Sequence, residues 1–168
     1  WNKSHIDAIK TACEELEVPL HLKENIKENT GECVTAAKEL IEKGVTLLFL
    51  NSYNYGEELK YLIKQHPEVY FYVNNSEECR IDNLSTYFAR MYQVRYLSGL
   101  MAGMKTQTDK IGYVAAMNNN EVNRGINAFT LGVKKANPDA VVVVAWTGSW
   151  DDATAEKKAV RNLVEKEK

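Results

Sequence analysis

The stretch from Lys110 to Asp152, KIGYVAAMNNNEVNRGINAFTLGVKKANPDAVVVVAWTGSWDD, leaves this chain few ways to fold. Lys110 to Ala116 is a short apolar run. Glu121 to Ala136 repeats apolar residues at helical spacing (Val122, Ile126, Phe129, Val133), and Ala140 to Trp146 is almost wholly β-branched. Strand, helix and strand in that order predict a βαβ unit in a parallel sheet. Ligands of such sheets sit beyond the carboxyl ends of the strands. The loops Met117 to Asn120 and Thr147 to Asp152 are therefore the places to look, and Trp150 stands in one of them.

The same alternation runs back to the start. A helix is expected almost at residue one, with Asn2 or Ser4 as cap and Ile6, Ile9, Ala12, Cys13 and Leu16 on its apolar face. A helix there implies a preceding strand, so the first lobe is expected to lack its first strand. Val18 to Lys23 is expected as a strand after a Pro19 turn. A helix from Gly31 to Lys43, capped by Asn29 or Thr30 and ended by Gly44, leads into Val45 to Leu50, VTLLFL, expected as a strand buried on both faces. Helix Glu57 to Gln65, strand Val69 to Val73 and a long helix from Leu84 to Lys105 complete that lobe. In the long helix Tyr87, Met91, Val94, Leu97, Leu100, Met101 and Met104 form an apolar stripe, beside small residues Ser98, Gly99, Ala102 and Gly103 that permit close packing. Thr106 to Asp109 reads as a hinge linker. A final helix from Ala153 to about Glu165 starts at Asp151 or Asp152. The expected organisation is a first lobe over 1–105, a linker over 106–109 and a partial second lobe over 110–168. The last is short of what usually closes a core alone.

With 45% hydrophobic and 26% charged residues the chain can bury a sizeable core. A net charge of −2, with Lys and Glu interspersed, gives no electrostatic footprint for nucleic acid. Three cysteines (Cys13, Cys33, Cys79) form no CxxC pair and are expected as free thiols. Dinucleotide, phosphate-loop, zinc-protease and nucleophile-elbow motifs are absent, and no His/Cys set has metal spacing, so neither catalysis, nor a cofactor, nor a metal is expected. His5, His21 and His66 are expected in structural or exposed roles. What remains are polar and aromatic residues that recur at strand ends: Trp1-Asn2, Ser52-Tyr53-Tyr55, Asn74-Asn75, Asn118 to Asn120 and Trp146 to Trp150. Aromatic faces sandwich planar heterocycles, and side-chain amides offer both donors and acceptors to a base edge. Trp146 is expected in the core, whereas Trp150, after Gly148-Ser149, is expected to project.

The run YFARMYQVRYLSGLMAG (Tyr87 to Gly103), with KIGYVAA, EVNRGINAFTLGVKKANPDA and VVAWTGSWDDA after it, resembles the basic membrane protein family over the whole chain. That family comprises purine nucleoside receptor-like substrate-binding lipoproteins of ABC importers. The resemblance implies an α/β type 1 periplasmic-binding fold, parallel sheets with helices on both faces, the first lobe nearly complete and the second partial. It implies an extracytoplasmic, membrane-tethered protein with the tether upstream of this chain, ABC permease partners and a purine-like small molecule as ligand. It places Trp1 and Trp150 on the two faces of a purine and Asn2 at its edge. Ser52, Tyr53, Asn74 and Asn75 would line the first-lobe wall, and Met117 and Asn118 the second. Glu121, Arg124, Gly125 and Asn127 also match, as a loop–helix junction in which Gly125 allows close packing. The chain departs from nucleoside-binding members at the strand end Val73-Asn74-Asn75, where they usually carry an acid, and at Asn119-Asn120, where many relatives have Ile-Pro; the family's ribose-holding acid and lysine lie in the second-lobe portion not present here. These departures favour a purine base or similar heterocycle over an intact nucleoside. A sensing domain of a receptor or regulator built on the same fold is the alternative.

Overall fold

A computed structural model describes residues 2–75 and 81–166, with the side chain of Lys166 left out. These residues form two compact units, Trp1–Phe88 and Ala89–Lys168. In chain order the first unit contains α1 (Asn2–Glu15), α2 (Glu32–Glu42), β1 (Leu47–Leu50), α3 (Tyr55–Glu58), α4 (Lys60–Gln65), β2 (Tyr70–Val73) and β3 (Leu84–Thr86). The second contains α5 (Met91–Lys105), β4 (Lys110–Ala115), α6 (Asn120–Ala136), β5 (Val141–Trp146) and α7 (Ala153–Lys166).

The first unit is a parallel three-stranded sheet in the order β1-β2-β3, with Leu48 opposite Phe71 and Leu50 opposite Val73. Alternation along each strand sends Leu48, Leu50, Phe71 and Val73 into one core with Cys33 and Ala37 of α2 and Leu62 and Ile63 of α4. Leu47 and Phe49 point the other way and are each 48% exposed. β1 is therefore buried on one face, not both as VTLLFL suggests. Its outer face is dressed by rings instead: Phe49 stacks on Tyr72 at 5.4 Å and meets Tyr87 edge-on at 6.0 Å.

Two expected elements differ here for the same reason. Val18 to Lys23 has strand-like composition but is not a strand. Val18 still donates to Cys13 of the helix end, Pro19 has no donor, and the following residues find no ladder partner. Conversely, Leu84 to Thr86 was expected as helix and is β3, because Phe71 N donates to Asn83 O and Tyr87 N to Val73 O across the sheet. Asn83 fixes that register. Its buried side-chain amide donates to the carbonyls of Ile63 (3.0 Å), His66 (2.8 Å) and Val69 (2.8 Å), tying the end of α4 to the strand it feeds. The helix expected over Glu57 to Gln65 is two short helices that meet at Leu59.

The second unit rests on a helix pair. A Cβ on Gly99 would lie 2.0 Å from the carbonyl oxygen of Phe129, one on Gly103 2.7 Å from that of Val133, and one on Gly132 2.1 Å from that of Tyr96. Backbones of α5 and α6 touch, and only glycine admits that approach. α5 thus packs with the second unit. The division at Phe88/Ala89 falls upstream of the 106–109 segment expected as the hinge, which lies inside the second unit. Asp109, at φ 56, accepts from Asn137 Nδ2 at 2.7 Å, and its carbonyl accepts from Val141 N at 2.7 Å. The apolar stripe of α5 turns outward instead of inward: Leu97 and Met104 are exposed, because the small-residue side is the one that faces α6. Gly125, expected to serve close packing, meets only ordinary contacts, Arg95 Cγ at 3.8 Å and Tyr113 Oη at 3.9 Å. β4 and β5 pair in parallel from Lys110↔Val141 to Ala115↔Trp146, as the βαβ reading requires. Asn119 caps α6 through Val122 N at 3.0 Å, and Asp152 caps α7 through Thr154 N and Ala155 N.

Candidate functional site at the carboxyl ends of the strands

In the first unit the loops after β1 and β2 lie side by side because their strands are paired, and they carry an asparagine network. Asn74 N donates to Leu50 O, which extends the ladder by one residue and sets the Asn74 side chain at the strand mouth. From there Asn74 Nδ2 bonds Asn51 Oδ1 at 2.7 Å and His5 Nε2 at 3.2 Å. Asn51 Nδ2 donates to Asn2 Oδ1 at 3.1 Å. Asn75 Nδ2 donates to the Tyr53 carbonyl at 3.1 Å. Asn74 and Asn75 are buried, at 4% and 8% exposure, which is unusual for amides and is sustained by these bonds.

A second set of bonds holds the β1 loop. The Glu28 carboxylate accepts from Ser52 Oγ, from Asn54 N at 2.9 Å and from Asn54 Nδ2 at 3.1 Å. Tyr55 donates to the Ile26 carbonyl at 2.6 Å, and burial pushes its phenol up to about 12. Beneath it the buried Cys33 thiol donates to Glu58, and burial raises it to about 12, so it stays protonated and unreactive. Ser52 and Tyr53 are half-buried in this clamped loop.

Of the expected first-lobe residues, the structure joins Asn2 to Asn74 through Asn51, and Tyr53 to Asn75. Ser52 is held by Glu28. Trp1 and Cys79 lie outside the described residues. Sequence reading gave no site role to His5, Glu28, Asn51 or Asn54. Asn51 could have been found, since it directly precedes Ser52. Glu28 gives no local signal, because its partners are more than twenty residues away.

In the second unit, Met117, Asn118 and Trp150 all stand at the carboxyl ends of the paired strands β4 and β5. Asn118 Oδ1 accepts from Asn123 Nδ2 at 3.0 Å. The turn that carries Trp150 is fixed: Thr147 N and Gly148 N donate to Ala115 and Ala116 carbonyls at 2.9 Å, and Thr147 Oγ1 donates to Ser149 O at 2.9 Å. Gly148 adopts φ 74, which suits glycine. Trp150 is 42% exposed, as expected of a projecting ring. Trp146 is 43% exposed and so is not the core residue its strand position suggests. Among the described residues no group of three His, Cys, Asp or Glu could hold a metal ion.

The model of the family described as ABC transporter substrate-binding protein PnrA-like matches residues 1–168. The chain belongs to this family. A purine-binding protein of Brucella abortus is 32% identical over 167 residues, which is 98% of this chain and 47% of that protein. A putative ABC transporter glucose-binding protein of Haloferax volcanii is 33% identical over 121 residues, covering 72% of this chain and 31% of that one. Among solved structures, a transcriptional activator of the comK gene from Bacillus halodurans matches with TM-score 0.74 and 25% identity, over 98% of this chain and 56% of that one. A solute-binding protein of an ABC transporter system from Aeropyrum pernix K1 matches with TM-score 0.77 and 22% identity, over 94% and 46%. The fold is the α/β parallel-sheet fold of these solute-binding proteins. The chain spans about half, or less, of the length of these relatives. Among the described residues no helix is long and apolar enough to cross a membrane.

Proposed function

We propose that the protein captures a purine base, purine nucleoside or similar planar heterocycle between two lobes and delivers it to the permease of an ABC importer. The observation that carries this reading is the buried asparagine network where β1 and β2 end. Amides held rigidly at a strand mouth are suited to reading the edge of a heterocycle. The Brucella abortus relative, named for purine binding, supports the same ligand class. In this reading Asn2, Ser52, Tyr53, Asn74 and Asn75 form one wall, and Met117 and Asn118 another. Trp1 and Trp150 stack on the two ring faces as the lobes close. Association with the membrane is through a tether upstream of this chain. No bond is made or broken, and nucleic acid is not a partner.

The test is a tryptophan-fluorescence and thermal-shift screen of purine bases and nucleosides on the intact chain. A bound purine raises the melting temperature by mass action and quenches Trp150. Equal affinity in Trp150→Ala would remove the stacking role. A second reading, a ligand-sensing domain of a regulator, is favoured by the likeness to the comK activator. A lipid-attachment cysteine upstream of this chain in its gene would favour transport, and a transmembrane helix with a signalling domain would favour sensing.

A further inference from the structure

The asparagine network has a direction, and His5 sets it. Asn74 has one NH2 group, and both hydrogens are committed: one to Asn51 Oδ1 at 2.7 Å, one to His5 Nε2 at 3.2 Å. His5 therefore accepts at Nε2, which requires the neutral ring with its proton on Nδ1. Asn51, having accepted from Asn74, turns its own NH2 to Asn2 Oδ1. This leaves the side-chain carbonyl of Asn74 as the atom at the end of the chain. Asn74 is 4% exposed, and among the described residues none donates to that oxygen. A buried acceptor without a donor is costly, and a ligand that brings one relieves the cost.

We propose that His5 is a positioning residue that orients Asn74 so that its carbonyl oxygen faces the ligand, and that the site therefore selects a ligand carrying an N–H or O–H donor at that point. The inference rests on the heterocycle-binding reading above. Protonating His5 inverts the arrangement. Nε2 then donates, Asn74 must turn its oxygen to His5, Asn51 must turn its NH2 to that same oxygen, Asn2 must turn its NH2 to the Asn51 oxygen, and the NH2 of Asn74 now faces the ligand. At neutral pH the site asks for a donor; with His5 charged it asks for an acceptor.

The surroundings hold His5 neutral. Burial lowers its pKa from 6.5. Among the groups that face it are the Asn74 amide from the end of β2 and the ring of Tyr87, from the segment after β3, whose centroid lies 6.2 Å from that of His5. Burial raises the Tyr87 phenol, which stays uncharged. On α1 itself Lys3 and Asp7 pair with each other at 2.9 Å.

Two measurements on the intact chain test the proposal, and the first needs no ligand. The side-chain NH2 resonances of Asn74, followed by NMR from pH 8 to pH 5, should move with the His5 ring at a midpoint below 6.5, and should stay flat in His5→Gln, whose carbonyl accepts at every pH. An Asn74 amide that stays flat while His5 titrates, or that moves equally in His5→Gln, overturns the proposal. The second measurement compares 9-methyladenine, purine riboside and 9-methylpurine, whose ring carries no N–H. At pH 8 a donor-bearing probe should bind about tenfold or more tighter than 9-methylpurine. 9-Methyladenine places the donor on the base amine, and purine riboside places it on the sugar. The preference should shrink at pH 5 in the parent and persist in His5→Gln. A preference that ignores pH in the parent contradicts the proposal. If no probe binds while the Asn74 amide follows His5, the network stands and the purine reading falls.

Discussion

The two units reach stability by opposite means. In Trp1–Phe88 large apolar side chains fill one face of the sheet, with Phe71, Leu59 and Ile63 fully buried, and buried amides stitch the strand ends. In Ala89–Lys168 the centre is a contact of backbones, in which Gly99, Gly103 and Gly132 bring α5 against α6. The first unit depends on volume and on satisfied polar groups, the second on the absence of side chains. Substitutions that enlarge or shrink should therefore act oppositely on the two.

Phe71→Ala should cost the most, about 3–5 kcal/mol, because it empties the middle of the first core. Amide hydrogen exchange should show protection lost in β1–β3 and kept in α5 and α6. Protection lost evenly over both units would mean that they unfold as one. Gly132→Ala should cost roughly 1–3 kcal/mol or more, since its Cβ would fall 2.1 Å from a carbonyl oxygen and a backbone must shift. Its denaturant midpoint should drop while β1–β3 keep their exchange protection. Asn83→Leu leaves the carbonyls of Ile63, His66 and Val69 without their donor and should cost about 1–3 kcal/mol, read as a lower melting temperature. In the second unit Asp152→Ala removes the cap of α7 and should cost only about 1 kcal/mol, seen as fraying of that helix by exchange.

These sites also show what could be read in the sequence. The βαβ unit was legible because Val141 to Trp146, the helical spacing of Ile126 and Val133 and the Asp152 cap are local signals. β3 was not, because three residues acquire their strand geometry from Phe71 and Val73 across the sheet, and the apolar spacing that begins at Tyr87 imitates a longer helix. Val18 to Lys23 failed the other way: its composition suits a strand, but a strand needs a neighbour. In the candidate site, the position of Asn74, Asn75, Ser52 and Trp150 at strand ends was legible. Their supports, Glu28 and His5, come from distant segments and are visible only once the chain is folded.

The smallest expected effect belongs to pH. Folding depresses the His5 pKa, so between that value and 6.5 the unfolded chain binds more protons. The stability His5 contributes is complete above pH 6.5 and is lost as pH falls through the folded value. The denaturant midpoint of the parent should fall between pH 7.5 and pH 5, and His5→Gln should flatten that part of the profile.

The most direct test of the central claim, that the amides at the ends of β1 and β2 form a binding wall, is an adenine titration of the parent and of Asn74→Ala at pH 8. Circular dichroism would verify that both are folded. Saturable binding to the parent and a loss of about tenfold or more in Asn74→Ala is the predicted result. No binding to the parent, or equal affinity in the two, would contradict it.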